Sequence, residues 1–127
     1  MSECVFADGT IIRDYEAPYI VAEVNSSHNG NMETAKQMID RFYLGIGGVL
    51  TFKNAKKLVD VVREISLEHL VLETDCPYMA PTPYRGKRNE PIYTKEVAMK
   101  IAEIKGISYE KVVEVTNKNT RKAYGML

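Results

Sequence analysis

Two hydrophobic periods succeed one another along this chain, and their order predicts strand and helix in alternation. Val5-Phe6 and Ile11-Ile12 flank Ala7-Asp8-Gly9-Thr10, the pattern of a short β-hairpin around an Asp-Gly turn. Residues 19–24, Tyr-Ile-Val-Ala-Glu-Val, form a near-continuous apolar run, as expected of a buried parallel strand. A polar loop over 25–31 leads into a short helix over 32–41, with Asn31 placed as its N-cap. Residues 43–49 read as a second strand weakened by glycine. Over 54–65, Ala55, Leu58, Val59, Val62 and Ile65 fall on one helical stripe. Residues 70–74 read as a third strand, and a long loop over 76–91 follows it. Two helices close the chain. One covers 94–105 and stops at Gly106. The other starts after the N-cap Ser108 and runs into 120–124, with a break expected near Asn117.

Strand–helix–strand units of this length cross over in the right-handed sense and place their helices on one face of a parallel sheet. The fold class expected is therefore α/β. About three parallel strands carry helices on one face, and an N-terminal β-hairpin precedes them. A chain of 127 residues makes one domain, and no linker divides it. Three strands cannot close a barrel, so the apolar sheet face and its open edges predict self-association, as a homodimer or higher oligomer.

Composition narrows the partners. Lys+Arg and Asp+Glu both number 17, so the net charge is zero. Such a chain has no global attraction to nucleic acid or to a membrane surface, and low net charge favours self-association. No apolar run is long enough to span a bilayer, and no basic segment leads into an apolar core at the N-terminus. Cys4 and Cys76 are far apart and fit no metal-ligand spacing. They read as free thiols of a reducing, cytoplasmic compartment.

The candidate chemistry lies at the end of the third strand. Glu73 and Asp75 stand where an apolar strand gives way to a loop rich in proline and arginine. A carboxylate at that end can bind a divalent cation, which activates water and neutralises a phosphodiester. Arg85, Lys87 and Arg88 follow and can contact phosphate. The plainer reading is that Asp75 caps the next turn while Pro77, Pro81, Pro83 and Gly86 stiffen a long connection; spacing alone favours it.

The continuous segment 72–91, Leu-Glu-Thr-Asp-Cys-Pro-Tyr-Met-Ala-Pro-Thr-Pro-Tyr-Arg-Gly-Lys-Arg-Asn-Glu-Pro, resembles the signature of the TatD-family metal-dependent deoxyribonucleases. The resemblance extends from about Phe42 to Met126. It implies a (β/α)8-barrel relative and a metal role for Asp75. It also implies a His-x-His pair, a Glu and two later histidines in the full metal centre. This chain has only His28 and His69, and His69 precedes the third strand, at the wrong end for catalysis. By the family's spacing from Ala35-Lys36, a histidine position falls on Ser26. The glycine common between the positions of Arg41 and Phe42 is missing.

Residues 18–31, Pro-Tyr-Ile-Val-Ala-Glu-Val-Asn-Ser-Ser-His-Asn-Gly-Asn, are instead similar to the opening of the sialic acid synthase family, which is also a (β/α)8 barrel. That likeness, over about 12–40, implies an active-site role for Glu23 and maps His28, Asn29 and Gly30 onto the following loop. Without it, Glu23 is a strand-end acid and His28 a loop residue bonded to backbone. Both families share a loop-Gly-x-x-x-x-Ala-Lys lead into a helix, so a join at 38–42 keeps helix phase. The expectation is an engineered chimera, 1–41 synthase-like and 42–127 TatD-like, that folds without an intact active site. No cofactor is expected on that reading. A divalent metal (Mg, Mn or Zn) at Asp75, or less directly at His28, enters only if oligomerisation rebuilds a site. Two alternatives stand beside it: a residual TatD-like phosphodiesterase using Asp75, Glu73, Arg85 and Arg88, or an anion-binding module at the helix N-termini after Asn31 and Asn54.

Overall fold

Leu44 and Ile46 are both buried and separated by one glycine, the two-residue period of a strand. In the computed structural model, which describes residues 3–5, 9, 11–13, 31–39 and 43–124, they form β3 (Leu44–Ile46). The other elements, in chain order, are β1 (Glu3–Val5), β2 (Ile11–Arg13), α1 (Met32–Ile39), α2 (Lys56–Glu64), β4 (Leu70–Leu72), α3 (Thr94–Lys105) and α4 (Tyr109–Ala123). Short 3-10 segments cover Gly48–Thr51, Leu67–His69 and Pro91–Tyr93.

β1 and β2 pair antiparallel, Glu3 opposite Arg13 and Val5 opposite Ile11. β3 and β4 pair parallel, Leu44 opposite Leu70 and Ile46 opposite Leu72. One further bond, Glu73 N–H to the Ile46 carbonyl at 3.1 Å, carries the pairing to the edge of the loop. The strand expected over 19–24 lies outside the described residues.

The core gathers on one side of this parallel pair. Leu44, Ile46, Leu50, Leu70, Val61, Val62, Val97, Ile101 and Val112 are essentially inaccessible. Burying each such side chain contributes roughly 1.5–3 kcal/mol. The stripe expected on α2 is present, with Val61 buried beside Val62 and Ile65, while Leu58 and Val59 pack at its margin. On α3, Val97, Ala98, Ile101 and Ala102 are buried.

Helix boundaries follow local chemistry. Asn31 caps α1 through Oδ1, which accepts from Thr34 N–H at 3.1 Å. Ser108 caps α4 by accepting from Lys111 N–H at 3.2 Å. Gly106 ends α3 in the left-handed conformation, φ 65° and ψ 35°, which costs a glycine little. Three expectations are corrected. The second strand ends at Ile46 rather than at 49, because Gly48 opens a 3-10 turn packed against the 79–81 backbone. α2 begins from Ala55, with Asn54 exposed in the preceding turn and no side-chain cap. α4 runs unbroken through Asn117. Tertiary anchoring holds it: Asn119, one turn from Thr116 on the same buried face, donates through Nδ2 to the carbonyls of Leu67 at 2.9 Å and Leu70 at 2.8 Å.

Candidate functional site

β3 and β4 run parallel, so their C-terminal ends open on the same side, where the segments starting at Gly47 and Glu73 emerge. Gly47 is buried, and its missing side chain leaves a small cradle. A Cβ there would meet Glu73 Oε1 at 3.2 Å and Asp75 Oδ2 at 3.6 Å. Two carboxylates from one strand end thus converge on one point beside the next strand. Glu73 is half-buried and engaged with its surroundings, while Asp75 is exposed. Their alternation is that of an extended chain, where residues two apart share a face.

The basic residues of the loop have separate fates. The Arg85 guanidinium lies over the Phe52 ring, 3.7 Å from its centroid, a cation–π contact that holds the arm while leaving the residue exposed. Tyr84 stacks on Tyr93 at 3.9 Å between centroids and 7° between planes, tying the loop to the start of α3. Arg88 is exposed and lines an open groove of about 640 Å³ with Cys76, Pro77, Asn89, Glu90 and Pro91. Lys87 is exposed. Glu23 and His28 lie outside the described residues. His69 sits in the 3-10 turn before β4, at the opposite end from Asp75.

Glu73 and Asp75 bring two carboxylate oxygens, hard donors of the kind a divalent cation takes, to the Gly47 position. Among the described residues no group of three His, Cys, Asp or Glu side chains converges. Of the helix termini suggested for an anion, the α1 terminus has Thr34 N–H bonded to the Asn31 side chain, and the α2 terminus starts from Ala55 with no side-chain cap.

Two residues of this site escaped sequence reasoning. The sequence marks Gly47 only as a weak strand position, although a Gly-Gly pair closing an apolar run signals a close approach. Asn89 is buried within a polar loop, a placement with no periodic signal to mark it. Cys76 is a free thiol, as expected; the Cys4 side chain lies outside the described ones. No helix among the described residues is long and apolar enough to cross a membrane.

Comparison with known proteins places this geometry. A family described as TatD related DNase matches residues 9–125. An uncharacterized metal-dependent hydrolase of Bacillus subtilis, YabD, is 42% identical over 116 residues, covering 91% of this chain and 45% of the relative. The Escherichia coli K12 metal-dependent hydrolase YcfH is 43% identical over 88 residues, covering 68% of this chain and 33% of the relative. Among solved structures, the TatD homolog YjjV of Escherichia coli K12 superposes with a TM-score of 0.68 at 25% identity, over 74% of this chain and 37% of that one. This chain therefore spans less than half the length of the curated relatives it matches.

These matches overturn the silent chimera. One family runs across the supposed join at 38–42, and a single relative aligns with nine-tenths of the chain. The synthase likeness rested on the short stretch 18–31, whereas the family match covers residues 9–125. The expectation of no natural function falls with it, since the relatives are named as metal-dependent hydrolases, and those names favour the divalent-metal alternative over the expectation of no cofactor.

Proposed function

The chain belongs to the TatD related DNase family, and on that premise we propose that it serves metal-dependent phosphodiester hydrolysis at the C-terminal ends of β3 and β4. The observation that carries the reading is the convergence of the Glu73 and Asp75 carboxylates on the Gly47 cradle. Those two side chains would hold a divalent cation, Mg, Mn or Zn. Such a cation supplies water activation and charge neutralisation. Its other donors would come from outside the described residues or from a second copy of the chain.

The rest of the chemistry belongs to the loop. Arg88 stands exposed beside the groove and would receive a phosphate oxygen. Arg85, braced on Phe52, would hold the neighbouring phosphate with little side-chain entropy left to lose. Leu44, Ile46 and Leu70 form the apolar floor that fixes both strand ends. In this proposal the two strands are part of an unclosed (β/α)8-type sheet.

The test is hydrolysis of bis(p-nitrophenyl) phosphate by the full chain with added Mn²⁺. The expected result is metal-dependent turnover that falls at least about a hundredfold in Asp75→Ala. Equal turnover in the variant would end the proposal.

A further inference from the structure

The segment that follows Asp75 is held from two sides. Tyr78 N–H donates to the Asp75 carbonyl at 2.7 Å, closing a turn whose first residue carries the candidate carboxylate. On one side the loop lies against the Gly48–Thr51 segment. A Cβ on Gly48 would stand 2.5 Å from the Met79 carbonyl oxygen, and Thr82 N–H donates to Thr51 Oγ1 at 2.8 Å. On the other side stands Asn89. Its backbone N–H donates to the Pro77 carbonyl at 2.9 Å, and its Nδ2 donates to the Tyr78 carbonyl at 2.8 Å. Between the two supports, Met79 takes a φ of 55°, a conformation that a residue with a long side chain adopts only when its surroundings enforce it.

Asn89 is an odd choice for stability alone. Its side chain is buried, and its Oδ1 has no hydrogen-bond partner among the described residues. Turning the amide over gives no relief, because Oδ1 would then face the Tyr78 carbonyl oxygen. A buried acceptor left unpaired costs as much as, or more than, one amide–carbonyl bond returns. The side chain is therefore a weak stabiliser and a strong locator of the carbonyl it holds.

We infer that Asn89 is the positioning residue of the candidate site, fixing the turn on which the Asp75 carboxylate stands. This rests on the reading of Asp75 as a metal-holding group. It acts through backbone, on the two carbonyls of Pro77 and Tyr78.

The experiment compares the full chain with Asn89→Leu and Asn89→Asp by three readouts: amide hydrogen exchange at Tyr78, the urea unfolding midpoint, and Mn²⁺ affinity by calorimetry. Asn89→Leu removes both the donor and the orphaned oxygen. It is expected to leave the midpoint close to that of the unsubstituted chain. Tyr78 exchange should rise about tenfold, equivalent to about 1.4 kcal/mol of local protection, and Mn²⁺ affinity should fall by a similar factor. Asn89→Asp keeps the volume and sets an acceptor against the Tyr78 carbonyl, so it shifts exchange and affinity the same way even if Asn89→Leu does not fold. Unchanged Tyr78 exchange overturns the inference. So does a rise that merely tracks a lower midpoint, or Mn²⁺ affinity equal in all three proteins. If the unsubstituted chain binds no Mn²⁺, the metal reading of Asp75 fails. Asn89's hold on the turn is then decided by Tyr78 exchange alone.

Discussion

At the scale of single residues, an absent side chain matters as much as the charged ones. Gly47 has φ −114° and ψ −167°, ordinary extended backbone open to any residue. Alanine there costs nothing in backbone strain, and its whole effect enters the cradle, where Glu73 Oε1 would lie 3.2 Å from the new carbon. Gly47→Ala is expected to weaken Mn²⁺ binding about tenfold, or about 1.4 kcal/mol, with little change in the thermal midpoint. Calorimetry on the two proteins checks it, and equal affinities would remove Gly47 from the site. Lys105 makes a different kind of test. Its Nζ donates to the Ile65 carbonyl at the end of α2. Burial lowers its pKa below the usual 10.5, and the Glu64 carboxylate partly restores it. The unfolded chain therefore binds the proton more tightly than the folded one. Stability should rise with pH between the depressed value and 10.5. Lys105→Met should flatten that rise in urea midpoints measured across the alkaline range; an unchanged slope would show that the burial has no such effect.

At the scale of elements, the sequence was most legible where one physical cause dominated. The apolar stripe of α2 and the caps at Asn31, Ser108 and Gly106 are local signals, and each marks its helix in the structure. The end of β3 and the continuity of α4 are decided by distant contacts, which leave no periodic trace. Gly48 turns the chain because the 79–81 backbone lies against it. Asn117 does not break α4 because, two residues on, Asn119 is bonded to the Leu67 and Leu70 carbonyls. Asn119→Ala strips both carbonyls of their side-chain donor beside β4. A loss of about 2–3 kcal/mol is expected in urea unfolding. A change under about 0.5 kcal/mol would mean that water replaces the amide without cost. The candidate site was half legible for the same reason. Glu73 and Asp75 announce themselves at a strand end, whereas the Gly47 cradle and the Asn89 clamp exist only once the loop has folded back.

At the scale of the molecule, a local likeness misled where length of match decides. The likeness of the opening βα segment to another family covers only about thirty residues of the chain. The match over residues 9–125 removes the join. What remains is a chain with the parallel strand pair, covering helices and acidic strand end of a TatD relative, spanning less than half the length of its curated counterparts. On the proposed function, the carboxylates at the end of β4 hold a divalent cation. The direct measurement is a calorimetric titration of metal-stripped full chain with Mn²⁺, beside Asp75→Asn. Saturable binding that disappears in the variant is the predicted result. No binding, or binding untouched by the substitution, would contradict it.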